Sequence, residues 1–122
     1  MQGKIYSSGK EILMNFSQSL TLPATVDNSA ATVNDEGRKI IKAGTPLGAA
    51  KDFRLNKGVV LTPTTDATAV QVVAMHDIDI TNGQAAATVI KRGDVVYKNM
   101  DKDVRALFTA DIQKALTHII LV

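Results

Sequence analysis

Val72, Ala74, His76, Ile78 and Ile80 alternate along the chain with Val73, Met75, Asp77, Asp79 and Thr81. That two-residue period sends neighbouring side chains to opposite faces of a sheet. Asn82-Gly83 follows, a pair that tolerates positive φ in a hairpin turn. Ala87 to Arg92 then carries a β-branched run, which Gly93 is expected to stop. Val70 to Val95 is therefore predicted as a hairpin at the centre of the fold. Val72, Ile78 and Val89 belong to its core, Asn82 and Gly83 to its turn, and Gly93 to its end.

Shorter apolar runs surround it. Lys39 to Lys42 reads as a strand, Ala43-Gly44-Thr45-Pro46 as a turn leading into an extended pair, and Gly58 to Thr62 as a strand closed by Pro63. Gly48 to Asn56 reads as a short connection around Phe53 and Leu55. Val95-Val96-Tyr97 reads as another short strand. Val104, Leu107, Phe108, Ile112 and Leu116 recur at spacings of three and four. They predict one helical stripe, with Asp101 as N-cap, a break near Thr109-Ala110 and a new cap at Asp111. Ile119-Ile120-Leu121-Val122 reads as a strand buried in a sheet or an interface, since such a run left open invites aggregation. Many short strands with one helical segment near the end define a β-rich α+β domain.

Met1 to Glu36 differs from the rest. Ser, Thr, Asn and Ala dominate, Gly3, Gly9 and Pro23 interrupt, and the apolar residues have no regular period. Residues 1–36 are predicted to be a flexible arm that can be removed without unfolding residues 37–122. Within the arm, Leu20-Thr21-Leu22 alternates and can pair as a strand where an edge is offered. Phe16, Leu20 and Leu22 are its candidate partner-binding side chains.

Composition narrows the function more than the fold. With 122 residues the chain makes one small domain, and with 45% hydrophobic but 4% aromatic residues its core is built from Val, Ile, Leu and Ala. A core of that kind is a candidate for support from oligomerisation. The formal net charge is +2, with Lys and Arg scattered and not interleaved with aromatics, so no nucleic-acid partner is expected. There is no cysteine, hence no disulfide frame and no thiolate metal site. No apolar run reaches the ~20 residues of a membrane helix, and no secretion signal is read at the start.

Candidate chemistry is sparse. Asp77, Asp79, Thr81 and Gly83 resemble part of a calcium loop, but the glycine falls seventh where an EF-hand needs it sixth, and Thr88 stands where the bidentate glutamate belongs. Arg92-Gly93-Asp94 spells an adhesion tripeptide, which needs an exposed loop tip to act. His76 and His118 lie in apolar stretches without the nucleophile and orienting acid of a hydrolytic triad, and both read as structural or interfacial. No enzyme activity, cofactor, metal or small-molecule substrate is expected.

Several of these segments, taken together, resemble one family. Asp77-Ile78-Asp79-Ile80-Thr81, Gly83, and Ala87-Thr88-Val89-Ile90-Lys91-Arg92-Gly93 follow a valine-rich strand. Ile41-Lys42-Ala43-Gly44-Thr45-Pro46-Leu47-Gly48 precedes them and Ile119 to Val122 closes the chain. This order is similar to that of the phage head decoration proteins, the lambda-like capsid-stabilising proteins, over roughly Arg38 to Val122. The resemblance implies a compact fold of short strands, often grouped with the β-clip folds. It also implies a homotrimer that binds the major capsid protein on the outer surface of the expanded head and resists internal DNA pressure. The expected location is then the virion surface, and the host cytoplasm during assembly. Two rivals remain: a head-fibre or adhesin base carrying a host-binding element, and a small trimeric enzyme similar to dUTPases, which would need a glycine-rich closing tail.

Overall fold

The computed structural model describes residues 12–14, 18–28 and 33–122. Among the described residues nine strands and two short α-helices occur in the order β1 (Leu13–Met14), β2 (Leu20–Val26), β3 (Ile40–Ile41), β4 (Pro46–Gly48), β5 (Val60–Pro63), β6 (Val70–Ala74), β7 (Ile78–Asp79), β8 (Ala85–Val95), α1 (Lys102–Arg105), α2 (Ala110–Ala115) and β9 (Ile119–Leu121). The fold is β-rich α+β, with its helices near the C-terminal end.

The strand pairings close on themselves. β2 pairs with β5, β5 with β4, β4 with β6, β6 with β8, and β8 returns to β2. β2 and β5 run parallel and the other four pairings are antiparallel. Inside this ring lie Val26, Leu47, Leu61, Val72, Ala74 and Val89, joined by Ile41 and Ile78 from the separate β3–β7 pair and by Ile80 just after it. Eight strands already leave room only for packed side chains, so a ring of five admits smaller ones. Ala24, Ala85 and Ala87 line it for that reason, and the aromatic-poor composition follows.

A second core lies on the other side of β6 and β8. Val73, Ile90 and Val95 pack there against Met100, Val104, Phe108, Ile112, Leu116 and Ile119. The valine run of β6 is thus sorted by its two-residue period, Val72 and Ala74 to the ring interior and Val73 to the helical side. The helical stripe is buried as its spacing predicts, and Tyr97 meets Phe108 edge-on at 6.3 Å between ring centroids.

Three details of the central hairpin differ from the sequence reading. β6 stops at Ala74, and β7 pairs with β3 through Ile40↔Asp79 and Ile41↔Ile78, so Val72 to Thr81 is not one strand. The turn closes from Gly83 N–H to the Ile80 carbonyl at 3.0 Å, which puts Asn82 and Gly83 third and fourth in it instead of at its centre. Gly83 has φ +105°, as a glycine there allows. Gly93 does not end the second strand: β8 runs through it to Val95, where β1 and β9 pair with it. A side chain at Gly93 would sit 2.8 Å from Ser19 Oγ, so close approach explains the glycine.

The larger correction concerns residues 20–26. They are a wall of the ring and no arm: β2 pairs with β8 from Leu20↔Arg92 to Val26↔Ala85, and Val26 is 0% exposed. The domain boundary expected at residue 36 falls after a core strand. Helix α2 is capped by Thr109, whose Oγ1 accepts from Ile112 N–H at 3.3 Å, and not by Asp111. Asp101 does occupy the N-cap of α1, without a side-chain cap hydrogen bond. Val95-Val96-Tyr97 is not a separate strand, since Val95 ends β8 and Tyr97–Asn99 is a 3₁₀ turn.

Gly48 marks the tightest backbone approach, at the register shift between β4 and β6. A Cβ there would lie 2.2 Å from the Ala69 carbonyl oxygen, and backbone atoms cannot step aside. Gly48→Ala is expected to cost about 3 kcal/mol, read as a lower urea midpoint at unchanged slope.

Candidate functional site

The hairpin residues named from sequence come together only in part. Val72, Ile78 and Val89 meet in the ring interior. Asn82 lies exposed on the turn, and Gly93 faces Ser19 on the far half of β8. Of the candidate partner-binding residues, Leu22 pairs with Val89 and packs on the ring interior, so it is not free to fill a pocket elsewhere. Leu20 is 37% exposed and remains on the surface. Phe16 lies outside the described residues. β5 pairs with β2 only at Thr25 and Val26, and Pro23 stands in the remaining stretch, the place in a sheet where proline is tolerated.

The exposed acids have local partners. Asp77 accepts from the Ala43 N–H at 2.8 Å. Asp79 accepts from Thr81 through both hydroxyl and N–H, and from the Arg38 guanidinium. The two carboxylates therefore address different groups and do not converge as a calcium loop requires. Lys42 reaches from the β3–β4 turn to Asp101 at 3.2 Å and Asp103 at 3.1 Å, tying that turn to the start of α1. Hydrogen bonding to Asp103 raises the Lys42 pKa.

The Thr81 hydroxyl and N–H, then Arg38, hold the Asp79 carboxyl down to about 2 from its ordinary 3.8. A carboxylate depressed in the fold stabilises it above its unfolded pKa, and that contribution fades as pH falls from about 4 through about 2. Asp79 is solvent-exposed, so the effect on stability is small. An NMR titration of the carboxyl carbon should give a midpoint near 2, and Thr81→Val should move it upward.

His76 and His118 are both exposed and lie in turns rather than in strands. Arg92-Gly93-Asp94 is inside β8, not at a loop tip. A shallow depression of about 370 Å³ is lined by Gly48, Ala49, Ala50, Thr62, Pro63, Thr64, Asp66, Thr68 and Ala69. Its one carboxylate, Asp66, is engaged by the Thr68 N–H and hydroxyl. Among the described residues no three of His, Cys, Asp and Glu gather as a metal site, and no helix is long and apolar enough to cross a membrane.

The connection expected over Gly48 to Asn56 is the loop of residues 49–59 between β4 and β5, and the feature missed in the sequence is how it is held. The Gln71 side chain holds its base: Oε1 accepts from Phe53 N–H at 3.1 Å, and Nε2 donates to the Lys51 and Ala49 carbonyls at 2.8 and 3.3 Å. Phe53 packs on the ring interior beneath. At the tip Asp52 binds Arg54 through backbone N–H, Nε and Nη2, and the Asp52 carbonyl accepts from Leu55 N–H and Asn56 Nδ2. The Arg54 side chain and N–H bring the Asp52 carboxyl to about 2. Gln71, a lone amide within a valine-rich strand, was the available signal.

No protein-family model, curated protein or solved structure matches the chain.

Proposed function

We propose that this chain is a decoration subunit of a phage head, a structural protein that binds the outer surface of the expanded capsid as a trimer and reinforces it. One observation carries this reading. The segments that resemble the decoration family are spread over some eighty residues and supply part of β3, β4, β7, most of β8, and β9; β4 and β8 flank β6, β9 pairs with β8, and Ile41 and Ile78 of the β3–β7 pair pack into the same core. The resemblance implies a compact fold of short strands of the β-clip kind, and the β-rich α+β class of the domain supports the coarser part of that reading. The closely packed ring core is compatible with a bracing role.

Residues 20–26 are built into the ring and cannot at once add a strand to the capsid, so the contact is proposed on the domain's own surface and not on those residues. The test is co-sedimentation of the purified protein with empty heads of the phage that carries it, before and after expansion. Saturable binding to expanded heads alone is the expected result. Binding to neither form would remove the decoration reading, and a clean dimer in the ultracentrifuge would count against the trimer.

A further inference from the structure

The loop of residues 49–59 presents one side chain more openly than any other large apolar group among the described residues: Leu55 is 79% exposed. A single exposed leucine is ordinary. Its mounting is not. Gln71 fixes the loop base from three sides, Phe53 anchors it from below, and the Asp52–Arg54–Asn56 hydrogen bonds shape the tip. A contact group held in place before binding loses less conformational freedom when it docks.

Charge is concentrated at the same place. Lys51, Arg54 and Lys57 against Asp52 give the loop a net +2, equal to the formal net charge of the whole chain. Lys91 adds a further cation at the base, where its Nζ donates to the Gln71 carbonyl at 3.3 Å. An apolar tip ringed by cations is complementary to an apolar pocket with an acidic rim.

We infer that residues 49–59 form a preorganised docking finger, in which Leu55 enters an apolar pocket on a protein surface while Lys51 and Lys57 meet an acidic rim. Nucleic acid fits less well, because the loop's one aromatic, Phe53, packs against the ring core and among the described residues no fully exposed ring stands beside the loop's cations for base stacking. A membrane does not fit, since interfacial binding needs a broad apolar face and this tip offers one leucine. The surface that receives the finger is the outer face of the expanded head, and in this the inference rests on the decoration reading.

The experiment is co-sedimentation of the full chain with expanded empty heads across a salt series, using Leu55→Ala and the double variant Lys51→Glu, Lys57→Glu. Melting temperatures should stay close to the parent, because these side chains are exposed. Leu55→Ala is expected to weaken binding about tenfold. The double variant should bind weakly at low salt and lose most of the parent's salt dependence. Parent-like binding by both variants would overturn the finger and leave the decoration reading standing. Failure of the parent protein to sediment with heads would overturn both. Leu55-dependent binding to vesicles of anionic and zwitterionic phospholipid would overturn the choice of a protein surface.

Discussion

A chain lacking residues 1–36 is expected to show no cooperative melting transition. The truncation removes β2, and with it the partner of β8 from Ala85 to Arg92 and one wall of the ring. Val26, fully buried among Leu47, Leu61 and Val89, goes with it, as do Leu22 and Ala24. What remains is an open sheet whose longest strand has an unpaired edge, the arrangement that natural sheets avoid because it recruits other chains. Circular dichroism and size exclusion of the truncated protein should report aggregated or unfolded material. A monodisperse product that melts near the parent temperature would mean that β2 is dispensable after all.

Val89→Asp is expected to be as damaging. Val89 is fully buried, pairs with Leu22 on one side and Ala74 on the other, and faces the ring interior. Among the described residues the one buried polar side chain is Thr45, so no buried cation is there to receive a carboxylate. Burying the unpaired acid, charged or protonated, should cost about 4 kcal/mol or more, a large part of the ~5–15 kcal/mol that holds a small domain together. Ile120→Asp is the control on a neighbouring strand. Ile120 is 57% exposed, and its replacement should shift stability by no more than about 0.5 kcal/mol. Denaturant melts of the two variants should differ widely, and similar midpoints would contradict the assignment of Val89 to the interior.

The same residues show how far the sequence could be read. Val72, Val73 and Ala74 were legible as a strand with alternating faces, because alternation of side chains needs no knowledge of the partner strand; that both faces are buried is seen only in the structure. The helical stripe from Val104 to Leu116 was legible for a similar local reason, and so was Val89 in the core. What stayed hidden depends on distant pairing. Leu20 to Val26 is interrupted by Pro23 and Ala24, residues depleted in strands, so the run does not announce itself as a core strand. Only β8, some sixty residues on, turns it into a wall of the ring. β7 was read as a continuation of β6 because the alternation persists through His76 and Asp77. Its true partner is β3, and the Ala43 N–H bond to Asp77 shows where the chain leaves the first register.

The apolar tail shows a mixed outcome of a physical kind. β9 enters the sheet beside β8 and buries Ile119, as the run of Ile, Ile, Leu and Val suggested. Ile120 and Val122 point the other way and stay more than half exposed. A strand at the side of a sheet has one covered face, so a fully apolar strand cannot hide all of its side chains. The shape of the docking loop was hidden for a different reason. It depends on Gln71, a residue of another strand, and no pattern within residues 49–59 reveals that support.

The decoration reading is tested most directly by cryo-electron microscopy of expanded empty heads incubated with the protein. The account expects added density in trimeric units at the threefold and quasi-threefold positions of the outer surface, with the loop of residues 49–59 turned toward the lattice. Heads that acquire no density, or density with that loop facing solvent and another surface in contact, would contradict it.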